Sequence, residues 1–386
     1  MSRKKLIGII GACIIVVIVV LVISLSGRGP GVTFPDPYLE AAIRRAIEKP
    51  TGYIYQSDLE SLTALDYLGP GGRSGIQDLS GLEYCRKLTT LVLKYNQISD
   101  LSPLSDLTNL TELDLTMNQI SDLSPLSGLT NLTKLGLNSN DISDFSQLSG
   151  FTSLTYLDIS SNHISDISFL SGLTNLTSLI LYFNQISDLS PISGLTSLTY
   201  LRLSDNHISD LSPISGLTSL TYLSLSDNQI SDLSPLSELT SLTYLNLRDN
   251  QISDLLPISG LTSLTDLNLG YNQISEFSPL SGLTSLTSLY LTSNQISDLS
   301  PLGSFTNLTE LNLGFNQISD LSPLSGLTSL TDLWLSDNQI GDIEPLVNNM
   351  GLSEGDYVYL SNNPLSADSL NIHIPQLQAR GVTVSY

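Results

Sequence analysis

Few residues in this chain have the type and spacing for chemistry. Asp205, Asp227 and Asp249 follow one another at 22-residue steps. Three carboxylates in a row have the charge to hold Ca²⁺; a solvated acidic edge is the plainer expectation. The three histidines are His163, His207 and His373. His163 and His207 are two steps apart, which on stacked strands means roughly 10 Å, too far to share a metal. The chain has no His-Glu-x-x-His, no Gly-x-Ser-x-Gly and no Gly-Lys-Ser/Thr phosphate loop. The glycine-rich stretch at 69–75 is followed by no Lys-Ser/Thr pair. No catalytic residue, metal site or cofactor is assigned, and the chain reads as a non-enzyme.

The same interval supplies a column of recognition side chains. Tyr156, Tyr200, Tyr222 and Tyr244 share one place in the repeat, interrupted by Ser178. Tyr182 and Phe183 flank the column. Arg202 and Arg248 are rare cations; between Gln97 and Pro345 the only other is Lys134. A second cluster, Tyr290, Phe315 and Trp334, has Glu310 and Asp332 beside it. Trp334 is the only tryptophan and is expected to stand alone. Tyr and Arg are common binding anchors. Tyr is also a good strand residue that stabilises sheets by cross-strand pairing. A ligand-binding face and structural filler are therefore both open readings. The ligand-binding candidates are Tyr156, Tyr182, Tyr200, Arg202, Tyr222, Tyr244, Arg248, Tyr290 and Trp334.

The element that must position these residues is a repeat. Asn recurs at Asn96, Asn118, Asn140, Asn162, Asn184, Asn206, Asn228, Asn250, Asn272, Asn294, Asn316 and Asn338, always 22 apart. Counting each unit from the Leu eight residues earlier, positions 1 and 4 are always Leu and position 11 is always Ile. Position 6 is Leu except at Ile159, and positions 14, 17 and 20 are almost all Leu, Ile or Phe. Alternating Leu at positions 4 and 6 predicts a short strand across positions 3 to 7 with one buried face. Positions 3, 5 and 7 then face outward, and they vary most between units. The asparagines form a structural ladder, their amides meeting backbone groups of adjacent coils that would be costly to bury unpaired. Asp at position 13 suits capping, with Ser and Pro in a first helical turn and Gly ending a short 3₁₀ segment.

The pattern Leu-x-x-Leu-x-Leu-x-x-Asn-x-Ile is that of leucine-rich repeats. It predicts an α/β fold: a right-handed solenoid with a parallel β-sheet on the concave face, 3₁₀ segments on the convex face and helical caps. A coil cannot stand alone, so stacking supplies the stability and both ends need covers. Asp36-Pro37 starts a helix carrying an apolar stripe of Leu39, Ala42, Ile43, Ala46 and Ile47, and a second short helix begins at Ser57. The N-terminal cap and a degenerate coil span 36–75, the solenoid 76–346 and the C-terminal cap 347–386. Within that last cap, residues 357–360 read as a strand, a helix runs from Ala367 through Pro375 to Gly381, and 382–384 close the sheet. Cys85 falls at a core leucine position and reads as an inert buried thiol.

Residues 6–25 are an uncharged run of 20, long enough as a helix to cross roughly 30 Å of hydrocarbon. Arg3, Lys4 and Lys5 precede it and only Arg28 follows closely, so residues 1–5 are expected in the cytoplasm and the rest outside. A retained single-pass signal anchor in the cell membrane is the expectation, with 26–35 as a linker. A cleaved signal with release at Ser24 or Ser26, giving a secreted chain, and lipidation at Cys13 are the alternatives. The formal charge of −22, from 15 Lys and Arg against 37 Asp and Glu, excludes nucleic acid as a partner.

The Pro35-Asp36-Pro37 helical cap, the 22-residue unit and the Ile-Ser-Asp-Leu-Ser-Pro-Leu segment resemble internalin-type bacterial repeat proteins over residues 34–346. The resemblance implies an extracellular recognition module, a monomer that grips a protein ligand on its concave sheet. The family's immunoglobulin-like domain and Leu-Pro-x-Thr-Gly sorting motif have no counterpart here, so only the binding module carries over. Glycan binding through the tyrosine ladder, and a spacer without specific ligand, are the competing expectations.

Overall fold

The alternation at positions 3 to 6 is realised coil by coil. In the coil of Leu88, Leu91 and Leu93 are fully buried while Thr90 and Val92 are half-buried. The same holds for Leu201 and Leu203 against Tyr200 and Arg202. A computed structural model describes residues 31–67 and 75–386. They fall into two compact units, one ending at Leu154 and the other beginning at Thr155.

In the first unit, β1 (Gly31–Val32) pairs antiparallel with β2 (Ile54–Tyr55). Residues 31–35 are therefore not free linker, because Val32 and Phe34 are buried in the cap. Helix α1 (Pro37–Ala46) starts where Asp36 accepts from the N–H groups of Tyr38 and Leu39 at 2.9 and 3.1 Å. The other carboxylate oxygen of Asp36 accepts from the Gln77 N–H at 2.8 Å, tying the cap to the first coil. The short helix α2 (Gln56–Leu59) lies one residue before its expected start. Strands β3 (Ala64–Asp66), β4 (Thr90–Val92), β5 (Glu112–Asp114) and β6 (Lys134–Gly136) follow in sequence order and pair parallel. Cys85 is fully buried, and desolvation, then the charge of Glu83, pushes its thiol up to about 12.

The second unit continues the pattern with β7 (Tyr156–Asp158), β8 (Ser178–Ile180), β9 (Tyr200–Arg202), β10 (Tyr222–Ser224) and β11 (Tyr244–Asn246). Then come β12 (Asp266–Asn268), β13 (Ser288–Tyr290), β14 (Glu310–Asn312), β15 (Asp332–Trp334), β16 (Tyr357–Tyr359) and β17 (Thr383–Ser385). Neighbours in sequence pair parallel and in register, as Leu201, Leu223 and Leu245 do. Each repeat strand is three residues long, shorter than the five expected. The C-terminal cap holds α3 (Glu344–Asn348), a π-helical turn at Ser369–His373 and α4 (Ile374–Ala379).

Both units are leucine-rich-repeat solenoids. The asparagine ladder works as expected. The Asn206 amide donates to the carbonyls of Leu203 in its own coil and Leu181 in the previous one, both at 3.1 Å, and its oxygen accepts from the Ile186 N–H at 2.9 Å. Asn118 does the same for Leu115, Leu93 and Ile98. A second ladder was not foreseen: the Thr199 hydroxyl donates to the Thr177 carbonyl, and Thr221 to Thr199, both at 3.1 Å. Asp at position 13 caps as expected, with Asp100 and Asp210 each accepting a backbone N–H from Ser102 and Ser212 at 2.8 Å. The Ser102 and Ser212 hydroxyls, and then those N–H groups, hold both carboxyls below their ordinary range. Gly at position 19 is the last residue of the 3₁₀ segment in several coils, as in Ser146–Gly150 and Ser322–Gly326, without taking up left-handed backbone. Among the described residues the left-handed glycines are Gly52, Gly75, Gly81, Gly355 and Gly381. Where the period breaks, Asn363 rather than Asn362 carries the ladder on, accepting from the Ile340 N–H.

The membrane placement expected from residues 6–25 is corrected. That run, with Cys13, lies outside the described residues, and among the described residues no helix is long and apolar enough to cross a membrane. The single-pass, outward-facing placement is therefore withdrawn.

Candidate recognition surface

Parallel register places every position 3 residue beside its counterpart on the next strand. Tyr200, Tyr222 and Tyr244 are thus forced into one column on β9, β10 and β11. Their rings stack: Tyr200 on Tyr222 at 4.2 Å and 13°, Tyr222 on Tyr244 at 4.2 Å and 3°. All three are half-buried, with their ring faces against each other. Burial, then the neighbouring phenol, raises Tyr200 and Tyr222 above their ordinary range, so both remain neutral donors. Beside the column the Ser204 and Ser224 residues are buried, their hydroxyls bonded to each other at 2.8 Å.

The arginines lie over tyrosine rings. The guanidinium of Arg202 lies 4.8 Å from the Tyr182 ring centre, and that of Arg248 lies 4.5 Å from the Tyr271 ring. Each is a cation held over an aromatic face. The Nε of Arg202 is buried and has no hydrogen-bond acceptor. Tyr182 meets Phe183 edge-on at 5.9 Å. Tyr156, on β7, is separated from Tyr200 by Ser178 on the intervening strand.

A second group lies on β13 to β16. Tyr290 donates to Glu310 across one strand, and burial, then that bond, pushes its phenol up to about 12. Trp334 does not stand alone. It stacks on Tyr359 at 5.7 Å and 1°, and Tyr359 in turn lies 6.4 Å from Tyr357. The two partners sit in the aperiodic cap, where repeat counting cannot assign a register. The candidates therefore form a tyrosine column, two cation-capped rings and a C-terminal aromatic group, not one site. Among the described residues no group of His, Cys, Asp and Glu could hold a metal ion.

A family model described as leucine-rich repeats in two copies matches residues 86–128, 130–172, 174–216, 218–261, 262–304 and 306–348. The crystal structure of an internalin, InlF, from Listeria monocytogenes is 37% identical with a TM-score of 0.72, over 91% of this chain and 95% of that one. This chain is an internalin-type leucine-rich-repeat protein.

Other leucine-rich-repeat structures are similar. The functional domain of InlJ from Listeria monocytogenes is 27% identical with a TM-score of 0.75, over 92% of this chain and 80% of that one. InlJ includes a cysteine ladder; among the described residues here Cys85 is the one free cysteine. A leucine-rich-repeat protein of Leptospira interrogans is 26% identical with a TM-score of 0.75, over 81% of this chain and 82% of that one. No curated protein matches. Internalins and proteins like them mediate protein–protein recognition and are typically non-enzymatic.

Proposed function

We propose that this internalin-type chain is a non-catalytic protein-recognition module that holds a protein ligand on the open face of its sheet, over Tyr200, Tyr222, Tyr244 and Arg202. One observation carries the reading: a stacked aromatic column occupies outward positions that vary between coils, above a core that scarcely varies. Tyr and Arg on a rigid sheet offer contact area at low entropic cost. Tyr182, Arg248, Tyr290 and Trp334 extend the same face.

The tyrosine geometry argues against a glycan ladder. A sugar stacks on a free ring face, and both faces of Tyr222 are covered by its neighbours. What the column offers is ring edges and phenol hydroxyls, which suit a polypeptide. A spacer without ligand would gain sheet stability from the stack and nothing else. The experiment is affinity capture with the native chain and with a Tyr200→Thr, Tyr222→Thr, Tyr244→Thr variant, followed by titration of any purified partner against both. The proposal expects at least tenfold weaker binding by the variant. Equal binding would leave the column as structural filler.

A further inference from the structure

The residue before each ladder asparagine is left-handed. In the second unit this place runs from Ser161 to Asp337 with φ between 51 and 58°. Such backbone suits Asp, Asn and Gly and disfavours bulky side chains. Asp stands there at Asp205, Asp227, Asp249 and Asp337, and Ser at Ser161 and Ser293. Phe183, Tyr271 and Phe315 are the exceptions, and their rings are 59, 43 and 56% exposed. They fill no core and sit on backbone that resists them. Within the chain Phe183 meets Tyr182 edge-on and Arg248 lies over Tyr271, yet all three aromatic residues keep two-fifths or more of their surface exposed and open to contact from outside.

The same rim carries charge. Between Phe183 and Tyr271 stand Asp205, Asp227 and Asp249 on consecutive coils. Desolvation, then the charge of Asp227, raises the Asp205 carboxyl, and Arg202 offsets part of that rise. A cationic visitor would relieve the crowding, whereas phosphate or an anionic lipid surface would worsen it.

We infer that this rim, from Phe183 across the three aspartates to Tyr271, docks an extended polypeptide segment that carries basic residues between two apolar ones. The spacing fits. Coils stack about 4.8 Å apart, so the two rings are roughly 19 Å apart. An extended strand presents same-side residues about every 6.7 Å, so residues i and i+6 span roughly 20 Å. The apolar ends then meet Phe183 and Tyr271, and residues i+2 and i+4 lie over the carboxylates. The matching pattern is apolar-x-basic-x-basic-x-apolar. This surface adds to the recognition reading and does not depend on the tyrosine column.

The test uses the full chain and a fluorescein-labelled Leu-Ser-Lys-Ser-Lys-Ser-Leu peptide, with Glu replacing Lys as the control. Phe183→Ser with Tyr271→Ser installs the residue already found at Ser161 and Ser293. Asp205→Asn, Asp227→Asn and Asp249→Asn keep a residue that tolerates left-handed backbone. The native chain should prefer the Lys peptide at least tenfold, and each variant, folded by circular dichroism, should bind it at least tenfold more weakly. Tyr53→Ser, on the N-terminal cap, should leave peptide binding unchanged. The inference is overturned by either of two results: no preference for Lys over Glu, or undiminished binding by either variant.

Discussion

The rings of Tyr222 and Tyr244 lie 4.2 Å apart and 3° from parallel, although their residues are 22 apart in sequence. That contact exists only because one coil repeats the last without slip. It makes Tyr222, stacked on both sides, the residue most coupled to its neighbours. Stacked aromatic pairs contribute about 0.5–1.5 kcal/mol each beyond burial. Tyr222→Thr should therefore cost about 1–3 kcal/mol in urea unfolding. A cycle with Tyr200→Thr should return a coupling of about 1 kcal/mol. A coupling near zero would mean that the rings do not stack in solution.

Asn206 is 5% exposed and bridges two coils. Asn206→Ala leaves the Ile186 N–H without its acceptor, while the Leu181 and Leu203 carbonyls keep the amides of Asn184 and Asn228. A buried group left unsatisfied costs about 1–3 kcal/mol, so a loss of about 2 kcal/mol is expected. Amide hydrogen exchange should speed at Ile186 before it speeds two coils away.

A Cβ on Gly351 would lie 2.0 Å from the Thr328 carbonyl oxygen, and backbone cannot yield as a side chain end can. Gly351→Ala should destabilise the C-terminal cap by about 3 kcal/mol or more. Gly326→Ala, with nothing within 4 Å of its Cβ, is the control and should change stability little. Limited proteolysis within 344–386 reads the difference.

Cys85 is held near 12 against an ordinary 9.0, because the buried site disfavours the thiolate. The folded chain thus keeps a proton that the unfolded chain releases. Its contribution to stability is complete below pH 9 and is lost as pH rises from 9 towards 12. Cys85→Ala should remove that portion of the alkaline destabilisation. A thiol reagent at pH 8 should label Cys85 in the native chain only at the rate of local opening.

Much of this was legible because a repeat reports its own register. Leu91, Asn96 and Tyr222 could be placed by counting, since each period returns a side chain to the same face. The Thr177–Thr199 ladder was not visible, because an exposed Thr beside a strand already has a propensity reason to be there. The partner of Trp334 was missed for the opposite reason: Tyr359 lies past the last full period, where counting stops. Nor could spacing show that Arg202 and Arg248 would lie over tyrosine rings, since long side chains choose their contacts after the backbone is set.

Hydroxyl-radical footprinting of the chain with and without its captured protein partner tests the central claim most directly. Partner binding should lower oxidation at Tyr200, Tyr222 and Tyr244 together, with exposed Tyr53 as the unchanged reference. Undiminished oxidation of all three in the saturated complex would contradict recognition on this face.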